Sequence, residues 1–383
     1  MTQGADNTVL PLAGLTVVEL GHSLSAPYAT YILANLGCEI IKVEMPETGD
    51  YARGWGKVRS GDAAVMFHAI NVGKKSIAAN LRDRGDLDSV RRLILEQADV
   101  VVQNMKAGAV EKLGLDSATL RSQKPSLICC DVSAFGTSGP MRDTPGYDPI
   151  AQAASGMMSL IGHSGAETSR VPVSVNDMGA GMWSSIGILS ALHAREKTGL
   201  GATIATSLYE TAMSWMIVQL TDYLNSGEQP VRQGSGNANI VPYQVFRTRD
   251  GEILIAAGND RLFRAFAEIV GLPAVADDPD YSTGSARVTN RESLIAQLSE
   301  AVLKMNTDQL AGELAARGVP AAPILDIATA AESEQTAALG LVAATPQDGV
   351  RTIGLPLSIN GRRVPLAGKS PSLGEHNEIL KRD

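Results

Sequence analysis

Apolar and polar positions along the chain switch repeatedly between a strand-like and a helix-like period. Short Val/Ile-rich runs at 15–20, 38–44, 98–102 and 127–132 read as buried strands. A further run at 71–81 is a turn bearing Lys74 and Lys75 that leads into a strand. Helical patterns lie between them at 26–36, 87–97 and 109–113, with another ending near residue 122. Strand, helix and strand within the first 45 residues make a βαβ unit. The continued alternation predicts an α/β fold with a doubly wound, mostly parallel sheet. The loop at 133–148 is rich in Gly and Pro, and its length marks it as functional. A helix is predicted at 150–160.

The most informative stretch is 171–204. Val171, Val173 and Val175 alternate with Pro172 and Ser174, which predicts an extended strap. Asn176 and Asp177 follow as candidate N-caps. From Met178 to Lys197 the pattern is helical and apolar nearly all round, as in a buried helix, and Gly199 stops it. Small residues (Gly179, Ala180, Gly181) would let a ligand approach the backbone. Asp177 therefore stands at the mouth of a buried helix, whose dipole favours its ionised form. From these residues alone it is either a capping carboxylate or a nucleophile. A second long helix is predicted at 207–226, with no strand before it. Two consecutive long apolar helices suggest a connector or a subunit interface.

Beyond residue 227 the composition changes. A glycine loop at 233–239, a β-hairpin at 242–256 and helices at 261–270, 291–303 and 307–317 predict a smaller α+β domain. We place this domain at 230–320. The large domain is placed at 1–205 and 335–383, with linkers at 206–229 and 321–334 and a loose leader at 1–10.

Net charge is −8 and there is no basic block, which argues against nucleic acid or an anionic membrane as partner. A polyanionic ligand would need local basic residues. Three cysteines and five scattered histidines lack disulfide or metal-ligand spacing, so no metal site is predicted and a reducing cytoplasm is expected. No signal pattern opens the chain, and no apolar run is long enough to span a bilayer. The loop after the first strand has no G-x-G-x-x-G, so no dinucleotide is expected there.

Several runs occur together in a telling order. They include LAGLTVVELGHSLSAPYATYILANLGCEIIKVE, GDYARGWG, NVGKKSIAANL, ADVVVQNMKAGAVEKLGLD, FGTSGP, GYDPIAQAASG, NDMGAG, HAREKTGLGATI, RTRDGEILIA, RGVPAAPI and SPSLGEHNEIL. The chain resembles the family III CoA-transferases, which include formyl-CoA transferase, carnitine CoA-transferase and the related α-methylacyl-CoA racemase. The resemblance implies a Rossmann-like large domain, a small α+β domain and a homodimer of interlocked rings. It implies acyl-CoA and a small carboxylic acid as substrates, with no tightly bound cofactor.

The resemblance makes Asp177, in NDMGAG, the nucleophile. It makes Gly234, Ser235, Gly236 and Asn237 a mobile loop that closes over the intermediates. CoA contacts carry over to His22, Ser23 and Leu24 beside the pantetheine, to Ala79 and Arg82 under the adenine and its phosphate, to Asn104 and Met105 beside the nucleotide, and to Lys112 facing phosphate. Met45 stands where formyl-CoA transferases have an adenine-stacking Arg. Leu24 replaces a Gln near the substrate and argues against oxalate. The racemase branch has its His where Tyr147 stands; a side chain with an ordinary pKa near 10 is a poor base at neutral pH. The chain therefore reads as a transferase, with Tyr147 and Asp148 lining the pocket. Arg53 and Arg170 are candidate clamps for the distal carboxylate of a dicarboxylic acceptor. An acyl-CoA racemase is the alternative.

Overall fold

Residues 10–345 and 349–381 are described by the computed structural model; all of the expected leader except Leu10 lies outside them. Six parallel strands form the main sheet: β1 (Thr16–Glu19), β2 (Glu39–Glu44), β3 (Lys74–Ala78), β4 (Val100–Gln103), β5 (Ile128–Ser133) and β6 (Thr203–Ser207). Their spatial order is β3-β2-β1-β4-β5-β6. Val17 sits opposite Ile40 on one side and Val100 on the other. The order reverses direction between β1 and β4, and in open α/β sheets ligands bind at that switch point, beyond the carboxyl ends of the strands.

Both faces of the sheet's centre are covered, which explains why β1, β2, β4 and β5 read as apolar runs. Val17, Ile40, Val100, Val102 and Cys130 pack on one side against α1 (Ser25–Asn35) and α5 (Val175–Thr198). Val18, Ile41, Val101 and Cys129 alternate to the other side, where Val90, Leu93 and Ile94 of α2 (Arg84–Gln97) meet them. Helix α5 runs antiparallel to β6, so its N-terminus opens at the carboxyl edge of the sheet. At Gly181 α5 nearly touches α1: a Cβ there would lie 2.8 Å from the Ser25 carbonyl oxygen and 3.1 Å from the Ala29 nitrogen. At Gly179 it would lie 2.6 Å from Thr211 Cγ2, on α6 (Leu208–Trp215). These glycines therefore serve helix packing, not ligand access as expected.

The structure corrects several expectations. Val175 already belongs to α5, and no strand precedes it. Strand β6 separates α5 from α6. The second long helix breaks at Met216 into α6 and α7 (Ile217–Ser226). Helix α5 is not buried all round, since Met182, Trp183 and Ile186 are 45%, 42% and 50% exposed. Helix α4, expected at 150–160, is Asp148–Ala154, and α3 is Ala109–Leu113.

The chain divides into two compact units, 1–157 with 170–227 and 334–383, and 158–169 with 228–333. The second is built on the antiparallel hairpin of β7 (Tyr243–Arg247) and β8 (Glu252–Ala256). Ala321–Pro323, in the stretch we read as linker, joins β8 as a third strand, β9. Helices α8 (Asp260–Ile269), α9 (Arg291–Val302) and α10 (Thr307–Ala316) enclose a core of Phe246, Ile253, Phe263, Phe266, Leu298 and Leu314. Among the described residues no helix is long and apolar enough to cross a membrane.

The Gly181 contact yields a prediction. The atoms facing it are backbone, which cannot swing aside, so Gly181→Ala should force α1 and α5 apart. Urea denaturation should show a loss of about 1–3 kcal/mol; wild-type stability would contradict the packing described.

Candidate active site

The β1–α1 loop, residues 20–24, is held rigid from beneath by charge. Glu19, Lys42 and Lys74 are buried. Lys42 Nζ lies 2.5 Å from Glu19 Oε1 and 2.7 Å from Asp50 Oδ2, and it donates to the Gly21 carbonyl at 2.8 Å. Lys74 Nζ lies 2.9 Å from Glu19 Oε2. Burial opposes the charge on Glu19, yet Lys42 and Lys74 hold its carboxyl down at about 2. Asp50 Oδ1 accepts the Ser23 N–H at 2.8 Å and so secures Ser23 at φ 68°, a conformation that non-glycine residues seldom adopt. Removing one partner of such a buried set typically costs about 3–5 kcal/mol.

Asn104 bridges the switch point. Its Oδ1 accepts the His22 N–H at 3.0 Å, and its Nδ2 donates to the His22 carbonyl at 2.9 Å and to Ser25 Oγ at 3.1 Å. Because Ser25 Oγ accepts from Asn104, its own proton is free to point elsewhere. The Ser25 hydroxyl favours the ionised form of the Asp177 carboxyl, the sense expected of a donor turned toward it.

Asp177 occupies the first turn of α5, not its cap; the N-cap position is Ser174, whose side chain makes no capping bond. The free amides are taken by a residue from another element. Asp148 Oδ2 accepts the Asn176 N–H at 2.6 Å and the Asp177 N–H at 3.1 Å. The expected lowering of the Asp177 pKa by the helix N-terminus is therefore overturned. Burial, reinforced by the neighbouring Asp148 charge, pushes its carboxyl up to about 7, against the opposing Ser25 bond. A half-buried carboxylate so placed is ionised in a large fraction at neutral pH, is poorly hydrated, and can attack an electrophilic carbonyl.

The remaining predicted residues fall at the same sheet edge but in different surroundings. His22, Asn104, Met105 and Tyr147 line a cleft of about 410 Å³ beyond β4 and β5. Ser23 and Leu24 are half-buried on the β1–α1 loop. Met45 follows β2 and is 46% exposed. Ala79 follows β3 but is buried, and its N–H is spent on the Glu44 carbonyl at 2.9 Å; Arg82 and Lys112 are exposed. Asp148 is 2% exposed with both oxygens bonded inside the protein, which corrects its expected place in the pocket wall. Lys106 and Arg142, not singled out from the sequence, also line the cleft, as do Glu111, Asp116, Asp131 and Asp143.

The arginine clamps fail. Arg53 is buried and gripped by Glu44, Nε to Oε2 at 2.7 Å and Nη2 to Oε1 at 2.8 Å, over the Phe67 ring. Arg170 donates to the Val171 and Pro172 carbonyls at the surface. Within the second unit, Gly234 has φ 61° and donates to the Gly162 carbonyl at 3.0 Å, and the Gly236 N–H reaches the Gln233 carbonyl at 2.8 Å. A Cβ on Gly234 would fall 2.4 Å from the His163 ring, so the turn requires glycine there.

The sequence profile described as CoA-transferase family III matches residues 12–377. A succinate–glutarate CoA-transferase of Agrobacterium fabrum is 38% identical over 375 residues, covering 96% of this chain and 94% of that protein. An acetyl-CoA:oxalate CoA-transferase of Acetobacter aceti is 35% identical over 378 residues, with 97% and 95% covered. Among solved structures, a CAIB/BAIF family protein from Brucella suis matches with TM-score 0.86 at 38% identity, covering 97% of this chain and 98% of that one. A Mycobacterium tuberculosis protein matches with TM-score 0.88 at 28% identity, covering 97% and 99%. Sheet order, switch-point loop and whole-length similarity converge: the chain is a CoA-transferase and belongs to CoA-transferase family III.

Proposed function

We propose that the protein moves CoA from an acyl-CoA donor to a small dicarboxylic acid, with Asp177 carrying acyl and CoA groups covalently in turn. The observation that carries this reading is the Asp177 carboxylate itself, half-buried at the carboxyl edge of a parallel sheet, with Asp148 holding the amides of its turn. Its oxygen attacks the thioester carbonyl; the C–S bond breaks and leaves an aspartyl–acyl anhydride and CoA thiolate. The thiolate attacks the aspartyl carbonyl, which releases the donor acid and forms an aspartyl-CoA thioester. The acceptor carboxylate attacks that thioester to give a second anhydride and CoA thiolate. Attack of the thiolate on the acceptor acyl carbon completes the product and frees Asp177. Each hard exchange is thereby divided into easier ones.

By the resemblance, Gly234 and Gly236 belong to the flap that keeps water from the anhydrides. We assign CoA to the sheet edge formed by His22, Ser23, Leu24, Met45, Ala79, Arg82, Asn104, Met105, Lys112 and Tyr147. Dicarboxylate acceptors are supported by the names of the relatives, which take succinate, glutarate and oxalate. Leu24 on the β1–α1 loop speaks for an acceptor longer than oxalate. Racemisation is disfavoured because Tyr147 stands in the cleft at the position where the racemase branch has its His.

A panel of acids offered with succinyl-CoA tests the reading. New thioesters should form with C4–C6 dicarboxylates, and Asp177→Asn should reduce kcat by about a thousandfold or more. Thioester hydrolysis alone, or α-proton exchange without CoA transfer, would contradict it. We also infer a homodimer. Trp183 and Ile186 on α5, and Ile217, Val218 and Leu224 on α7, are 42–76% exposed and form apolar surface of the kind that subunits cover. Sedimentation equilibrium should return twice the 40.2 kDa chain mass; a monomer at micromolar concentration removes the inference.

A further inference from the structure

We infer that Asp148 is a positioning residue for the reaction: it caps the nucleophile's helix from a neighbouring element and sets the charge state of Asp177. The inference rests on the reading of Asp177 as nucleophile. Three geometric facts point to it. Asp148 sits at the start of α4, 2% exposed, and its Oδ2 holds the two amides that open α5. Its Oδ1 accepts from Gln152 Nε2 at 2.5 Å. Gln152 in turn grips the segment leading into α5: its Oε1 accepts the Val171 N–H at 2.9 Å, and Nε2 lies 3.2 Å from the Val171 carbonyl. One side chain therefore fixes the turn that bears Asp177 and removes two helix-end amides that would otherwise favour its ionised form. It also adds a like charge beside it. The product is a more basic carboxylate, and hence a stronger nucleophile toward a carbonyl carbon.

The other ionisable groups on elements packed against α5 do not supply this effect. On α1, Tyr28 borders Gly181 and Ser25 acts in the opposite sense. On α6, Glu210 is engaged by Ser207 at 2.6 Å. On β5, Asp131 is bonded to Gln103 at 2.8 Å. Strand β6 carries no charged residue.

Asp148→Asn keeps an oxygen for the two amides and deletes the charge. In the full-length protein labelled with carboxyl-13C aspartate, the Asp177 resonance, assigned by its loss in Asp177→Asn, reports its own titration without reference to activity. The wild-type midpoint near 7 should fall by roughly one pH unit in Asp148→Asn and rise in Ser25→Ala, which loses a donor to the anion. Kinetics should follow. With a midpoint at about 7, kcat/KM at pH 6 should be about one tenth of its value at pH 8. In Asp148→Asn it should become about one half, a roughly fivefold rise in the ratio. A purely structural role would lower kcat without moving either midpoint, and an unmoved Asp177 resonance in folded Asp148→Asn overturns the inference. If the resonance moves and kcat/KM does not follow, the nucleophile reading fails and the capping role stands. Should Asp148→Asn not fold, hydrogen exchange in the unmodified protein decides: slow exchange at the Asn176 and Asp177 amides supports the cap, and free exchange overturns it.

Discussion

Desolvation of a single carboxylate is the constraint around which this fold is arranged. A carboxylate in water is too weak and too well hydrated to displace CoA from a thioester. Asp177 is lifted toward neutral pH by burial and by the charge of Asp148, while the Ser25 hydroxyl preserves its ionised form. In the proposed mechanism, these opposing influences leave a group ionised often enough to attack and basic enough to do so well. Much of the surrounding structure can be understood as holding the three side chains at fixed separations.

The support is layered. Gly179 and Gly181 let α5 approach α6 and α1 closely, and so bring the first turn of α5 to Ser25. Asn104, arriving at the end of the strand across the switch point, orients Ser25 and clamps His22. Beneath the loop, Glu19, Lys42, Lys74 and Asp50 lock the backbone that carries His22 and Ser23. A ligand that presses on the His22 loop therefore presses, through Asn104, on the Ser25 hydroxyl. The buried ions are weak evidence of stability, because desolvation consumes much of their attraction. Their value lies in geometry.

Strands β1, β2, β4 and β5 of the large sheet were legible in the sequence because they are buried on both faces, whereas β6, half-exposed at the sheet's edge, carries no such apolar run and was missed. Helix α3, at 109–113, was read to the residue. What escaped depended on tertiary contacts. Asp177 read as a cap because local chemistry cannot reveal that Asp148, 29 positions away, already holds the amides. Arg53 read as a substrate clamp because the sequence does not show that its loop folds back onto Glu44 at the end of β2. Trp183 and Ile186 read as core because periodicity reports an apolar face without saying what covers it. Asp177 as nucleophile came from the resemblance; its capping pattern alone fits both roles.

The central claim is that the Asp177 carboxylate becomes covalently bonded to substrate. Mass spectrometry of protein quenched during turnover with an acyl-CoA, followed by peptide mapping, addresses it most directly. The account predicts a CoA adduct confined to the peptide containing Asp177 and lost on addition of acceptor acid. Turnover at full rate with no adduct, or with the adduct on another residue, would contradict it.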